Sequence, residues 1–218
     1  MYDLPYFKET DASVVRQFVR DNPFAFLSGC DKENKPVVTQ VPVFIDEKDG
    51  RTLLTGHIMR NSDHHKAFLH NQNVLAVFSS PHCYVSATWY DDPVQASTWN
   101  YISVHAQGII RFGDEPELIS ILKRLTLHYE NNNTASTTVF DNLPTDYTNR
   151  LMKAIVPFEV EVLEMENVFK LSQNRNEESY HNIIQRLEKQ DYGAQYIAAE
   201  MKKRASRLFR KTSENTMP

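Results

Sequence analysis

Glycine is scarce, six residues in 218. There is no Gly/Ser linker, and no G-x-G-x-x-G, G-x-S-x-G or P-loop pattern occurs. Nothing points to a dinucleotide fingerprint, a nucleophile elbow or a phosphate-cradling loop of the usual kind. Cysteine is scarcer still. Cys30 and Cys83 lie far apart, in no metal or redox spacing. A disulfide framework is excluded, and a reduced cytosol is the simple reading. Both thiols sit in apolar strand-like sequence and read as buried and inert. No apolar run approaches the roughly 20 residues that cross a bilayer. The first ten residues, MYDLPYFKET, lack the basic and apolar segments of a secretory signal. The expectation is a cytoplasmic chain without a membrane partner. Positive charge is not in excess either: 24 Lys and Arg stand against 28 Asp and Glu, a net charge of −4. A domain built around nucleic acid is usually basic, so direct nucleic-acid recognition is disfavoured.

What remains is ordinary globular composition, 41% hydrophobic and 24% charged. At roughly 150 residues per domain, the length suits one large β domain with a tail. The division expected is 1–190 for the domain and 191–218 for a basic helical tail. Asp11 caps a helix whose Val14, Val15, Phe18 and Val19 share a face, and Asn22-Pro23 stops it. FAFLSGC (24–30), PVVTQVPVFID (36–46) and RTLLTGHI (51–58) read as strands joined by short turns, an antiparallel meander. Residues 62–71 read as a helix capped by Ser62. Residues 73–80 and 83–90 read as strands, and 98–112 as a long central strand. Asp114 caps a helix over 115–130, with Pro116 in its first turn. A short helix over 144–154 precedes a strand pair over 155–172. Two helical stretches follow from 176. Six basic residues crowd the end: Lys202, Lys203, Arg204, Arg207, Arg210 and Lys211. They read as an exposed terminal helix with at most weak, salt-sensitive contact to phosphates.

Four polar-aromatic clusters interrupt this pattern. GHIMRNS (56–62) ends a strand and enters a helix. Arg60 and the helix start behind Ser62 suit a phosphate, and equally an ordinary surface turn. SSPHCYVSATWY (79–90) gathers His82, Tyr84, Ser86, Trp89 and Tyr90, which either stack on a planar ligand or pack in the core. In STWNYISVH (97–105), alternation puts Trp99, Tyr101, Ser103 and His105 on one face. FKLSQNR (169–175) crowds Lys170, Ser172, Gln173, Asn174 and Arg175 into one stretch of donors. That stretch suits a phosphate or ring edge, or a capping turn. Metal is not expected: His64 and His65 point apart on a helix, with no acidic or thiolate partner at standard spacing. Asp91-Asp92 reads as a turn rather than an acid/base pair.

Taken together, GHIMRNS, SPHCYVSATWY, TWNYISVHAQG and FKLSQNR resemble the PaiB-like family of FMN-binding negative transcriptional regulators. The resemblance runs from Met1 to about Leu187. It implies a mainly β fold with flanking helices, an antiparallel FMN-binding split β-barrel of the pyridoxine-phosphate-oxidase-like type. It also implies a homodimer that holds FMN at the subunit interface. Position by position, His57 and Arg60 match the strand-end motif. Ser62 stands where the family usually has Asn, Asp63 where it has Pro, and Ala87 where it has Pro. Arg60, Ser62 and Lys170 or Arg175 are expected at the phosphate. Thr39 and Val41, on the Val37–Pro42 strand, and the Trp99/Tyr101 face are expected at the ring. His57, His105 and Gln173 complete the cofactor set, with Trp99 or Gln173 acting across the interface. No nucleophile or acid/base pair stands out, so a regulatory or redox-sensing protein is expected first. A flavin oxidoreductase, with His105 or Tyr101 as proton donor, comes second. A directly DNA-binding repressor and a haem-binding barrel follow.

Overall fold

The computed structural model describes residues 1–92 and 94–209. Pro93, in the expected 91–97 loop, lies outside them, as do Arg210 and Lys211 of the basic run. Eight strands and six α-helices form in chain order among the described residues. They are α1 (Ala12–Asp21), β1 (Phe24–Cys30), β2 (Pro36–Pro42), β3 (Phe44–Lys48), β4 (Arg51–Met59), α2 (Asp63–His70), β5 (Asn73–Ser79) and β6 (Cys83–Val85). Then come β7 (Thr98–Phe112), α3 (Glu115–Tyr129), α4 (Thr145–Met152), β8 (Ile155–Lys170), α5 (Glu177–Leu187) and α6 (Tyr192–Phe209). The chain forms two compact units. A sheet unit comprises Arg16–Phe78 and His105–Met165. A second unit comprises Met1–Val15, Ser79–Val104 and the chain from Glu166. The two longest strands, β7 and β8, contribute residues to both.

The sheet follows the order β2-β1-β5-β7-β8-β4-β3. The pairs β1–β2, β1–β5, β3–β4 and β4–β8 are antiparallel. In the sheet unit, Leu27, Leu54, Ile110, Phe158 and Val160 are buried on its inner face, with Phe68 of α2 and Leu118 of α3. The helix starts follow the sequence signals. Asp114 accepts from Glu117 N–H at 3.0 Å, and the Glu117 carboxylate accepts from Asp114 N–H at 3.1 Å, a complete capping box. Gly108 of β7 lies where a strand crosses tightly. A Cβ there would stand 2.2 Å from the Glu161 carbonyl oxygen and 2.8 Å from Val160 Cγ1.

The expected meander is corrected. The single strand over 36–46 is two, β2 and β3, which stand at opposite ends of the strand order. The break falls at Val43. Pro42 has no N–H to give the ladder, and Val43 N–H donates instead to the Pro23 carbonyl at 2.9 Å.

In the second unit, β6 pairs with β7, setting Tyr84 opposite Trp99 and Cys83 opposite Asn100. The expected strand over 83–90 stops at Val85. Ser86 accepts from Thr88 N–H and starts a 3₁₀ turn over Ala87–Trp89, the side chain competing with the ladder. The expected strand pair over 155–172 is one strand, β8. Its polar Asn167 makes no turn; its amide clamps the backbone of Glu9 through two hydrogen bonds, at 2.8 and 3.0 Å. Phe7, Val85, Ile102, Val168, Leu171, Tyr180 and Ile197 are buried here.

The basic end is also corrected. Met201 is wholly buried and Arg204 is 7% exposed, so α6 is a packed helix over its described length rather than a solvated one. Arg204 bonds Glu200 at 2.6 Å and reaches Glu9 at 3.7 Å, and Arg207 reaches Glu9 at 3.0 Å. Cys83 is buried, and burial raises its thiol pKa to about 12, whereas Cys30 is half-exposed rather than buried.

Candidate functional site

In the sheet unit, β4 delivers His57 and then Arg60 into the turn before α2. His57 lies opposite Pro157 of β8. Its Nδ1 is buried without a hydrogen-bond partner. Burial lowers its pKa below 6.5, leaving a neutral imidazole at pH 7. Arg60 is anchored by its N–H donating to the Ala154 carbonyl at 2.8 Å. Its guanidinium is exposed and has no ion pair or hydrogen bond among the described residues. It lines a cleft of about 520 Å³ with Lys153, Asn149 and Glu115, over Leu118 and Met152. Most arginines elsewhere in this unit are answered. Arg111 is held by Glu117 and Glu159, Arg124 by Asp46, and Arg51 by Glu161.

Ser62 caps α2 by accepting from His65 N–H at 3.3 Å. Its hydroxyl also bonds the Met59 carbonyl and His64 Nε2, each at 2.9 Å. Asp63 Oδ1 accepts from His64 N–H at 2.8 Å, which holds that carboxyl below its usual range. Asn61 N–H donates to His65 Nδ1 at 3.1 Å. Two N–H groups of the helix start, those of His64 and His65, are therefore already taken. Its first turn is capped from within and carries the Asp63 carboxylate. Burial, then the nearby Arg60 charge, lowers the His65 pKa.

Val41 is buried and Thr39 half-buried on β2, opposite Ala25 and Leu27. The other face of this hairpin carries Phe24, Phe26 and Val38, all exposed. Since β2 ends the strand order, its outer backbone edge has no ladder partner among the described residues. His105 is half-buried on β7.

In the second unit, Trp99 is 53% exposed and packs against His82 and Tyr84, with ring centroids 5.6 and 5.9 Å away. Tyr101 is half-buried, and burial, with Tyr2 adding to it, raises its phenol pKa. Lys170 Nζ donates to Thr98 Oγ1 at 2.6 Å and lies 5.2 Å from the Tyr2 ring centroid. No carboxylate faces it among the described residues, and burial lowers its pKa. Gln173 turns inward: its amide bonds the Phe169 carbonyl and accepts from Leu171 N–H at 2.8 Å. Ser172 is buried at φ 61° and exchanges hydrogen bonds with Asn100 at 3.0 and 3.1 Å. Arg175 lies over the Tyr90 ring, 4.1 Å from its centroid. Of the five FKLSQNR donors, Gln173 thus holds its own turn, while Ser172 and Lys170 are tied to Asn100 and Thr98 of β7.

Lys153 and Asn149 beside Arg60, and Tyr2 beside Lys170, were not marked by any sequence motif. They join the site only through the fold. Asp91 takes hydrogen bonds from Ser179 and Asn176, which tie it to the start of α5. Among the described residues no group of three His, Cys, Asp or Glu side chains is placed to hold a metal ion. No described helix is long and apolar enough to cross a membrane.

A family model described as "Putative FMN-binding domain" matches residues 1–164. The chain belongs to this FMN-binding domain family, and the PaiB-like resemblance holds. It is 32% identical over 191 residues to protease synthase and sporulation protein PAI 2 of Bacillus subtilis, covering 88% of this chain and 91% of that one. Two solved structures share the fold. The flavocytochrome Anf3 of Azotobacter vinelandii matches with TM-score 0.54 at 15% identity, covering 78% of this chain and 72% of that one. An FAD and haem binding protein of Mycobacterium smegmatis matches with TM-score 0.53 at 12% identity, covering 75% and 73%. The fold class is the antiparallel split barrel with flanking helices, and FMN is the cofactor of the family.

Each unit, taken by itself, holds residues that suit one part of that cofactor. In the sheet unit, Arg60 and Lys153 line one cleft with Glu115, two cations against one carboxylate, which suits a phosphate. A flat ring needs an exposed aromatic wall, which Trp99 with Tyr84 supplies.

Proposed function

We propose that this chain holds FMN at an interface between two copies of itself and acts as a regulatory or redox-sensing protein without turnover. The observation that carries the reading is the unpaired Arg60 guanidinium facing Lys153 in the cleft at the end of β4. Arg60 and Lys153 take the phosphate. Trp99 of the second copy lies against the ring, and the unpaired edge of β2 meets the ring's polar rim. His57, neutral at pH 7, adds a hydrogen-bonding atom without charge. The exposed Phe24, Phe26 and Val38 face supports self-association, since an apolar patch of this kind is usually covered. Bound FMN supplies one- and two-electron redox chemistry. The regulatory part rests on the Bacillus relative, whose name ties that protein to protease synthesis and sporulation.

A second reading, flavin-dependent oxidation of a reduced nicotinamide, is favoured by one observation. Tyr101 shares a face of β7 with the exposed Trp99 ring and carries its phenol proton at neutral pH, although burial makes it a weaker acid than a free phenol. FMN-dependent NADH oxidation, measured on purified protein with free FMN subtracted, separates the two. Turnover that falls in Tyr101→Phe establishes the enzyme. No turnover with flavin bound leaves the sensor reading.

A further inference from the structure

A second cleft of the sheet unit uses none of the residues assigned to flavin. It measures about 460 Å³ and lies along β3, beside Arg20 of α1 and the last turns of α3. That volume is in the range of small-molecule sites. Leu127 and Pro23 give it an apolar border, while Val43 and Ile45 reach it only along the backbone, their side chains buried on the other face of the strand. One wall is the Phe44 ring. The Arg124 guanidinium lies 3.9 Å from that ring's centroid, and His128 meets the ring edge-on at 5.4 Å.

The charges at this cleft are not balanced by chance pairing alone. Arg124 is locked by two hydrogen bonds to Asp46, at 2.5 and 2.8 Å. The other acid, Glu47, is met by Thr52 Oγ1 at 2.8 Å and by Arg16 at 3.9 Å. Arg16, from outside the lining, partners Glu47, so Arg20 is the lining cation left without a partner. Its guanidinium has no ion pair or hydrogen bond among the described residues. Asn132, held at φ 60°, also lines the cleft, its carboxamide without a hydrogen bond among the described residues.

We infer that this cleft binds a small aromatic monocarboxylate. The ring lies against Leu127 and Pro23 beside Phe44, and the carboxylate meets Arg20 with Asn132 as a further donor. An unpaired fork of N–H donors at the rim of an apolar cleft favours a planar carboxylate over a spherical anion or a neutral ring. The site does not depend on flavin, so it stands or falls separately from the function proposed above.

The test is an NMR titration of the full chain with benzoate and indole-3-acetate, with benzamide and inorganic phosphate as controls. The expected result is saturable shifts confined to amides over 43–47 and 124–132. Benzamide should bind about tenfold or more weakly, the worth of one charge-assisted contact. Arg20→Gln should lose affinity for the carboxylates by a similar factor, Arg20→Lys should recover part of it, and Arg60→Ala should leave it unchanged. Three results overturn the inference: no saturable shift with either carboxylate, equal shifts from phosphate, or unchanged affinity in Arg20→Gln.

Discussion

Burial keeps the His57 and His65 imidazoles neutral in the folded protein, and this sets a pH dependence. Their folded pKa values lie below 6.5, so below that pH the unfolded chain binds more protons than the folded one. Stability is therefore full above pH 6.5 and declines as pH falls from 6.5 toward the folded values. Urea unfolding at a series of pH values should show this slope, and His57→Gln, which takes up no proton there, should reduce it. Parallel curves for the two proteins would remove His57 as a contributor. Arg60 is the other telling residue. Arg60→Ala should weaken FMN binding about tenfold or more, the worth of a charged hydrogen bond, without moving the unfolding midpoint. Fluorescence quenching of FMN reads the affinity directly. Arg60 was legible in sequence because it ends a β-branched strand beside a helix cap. Lys153 was not, because nothing in its neighbourhood marks it. The β4 N–H contact to Ala154 places the two side chains on one cleft.

At the level of elements, α6 is tied to the N-terminal segment by Glu9, whose side chain is 3% exposed, with Arg204 and Arg207. Arg204→Ala removes one partner of a buried pair and should cost about 3 kcal/mol, the low end for such a loss because Arg207 stays. Thermal or urea unfolding measures it, and a loss under about 1 kcal/mol would show the knot to be as weak as a surface pair. Truncation after Glu200 should be worse, since Tyr180 loses its hydrogen bond to the Met201 carbonyl. Gly108→Ala tests a different constraint. Its Cβ would press on the β8 backbone, which cannot rotate away, so a loss of about 1–3 kcal/mol is expected. The sequence announced most helices through their caps, Asp114 most clearly. It gave α6 as a helix but hid its packing behind its basic residues, although Ala194, Ile197, Ala198 and Met201 form an i, i+3, i+4, i+7 stripe. The break at Val43 was hidden for another reason. The switch from β2 to β3 is decided by a hydrogen bond to Pro23, 20 residues earlier in the chain, which no local pattern records.

At the scale of the whole molecule, the family and the split-barrel fold are fixed, and both were legible in the combined motifs rather than in any one of them. The two-unit division was not, because β7 and β8 run through both units without a linker or a change of composition. The central claim, that this chain carries FMN between two copies of itself, rests on the unpaired Arg60 and the exposed aromatic faces. The measurement that tests it most directly is an absorbance spectrum of the purified protein, before and after adding FMN, with mass by light scattering on the same sample. The expected result is flavin bands that stay with a species of about 50 kDa, twice the 25.3 kDa chain, through gel filtration. A colourless protein that retains no flavin at tens of micromolar FMN, or flavin carried by a 25.3 kDa monomer, would contradict it.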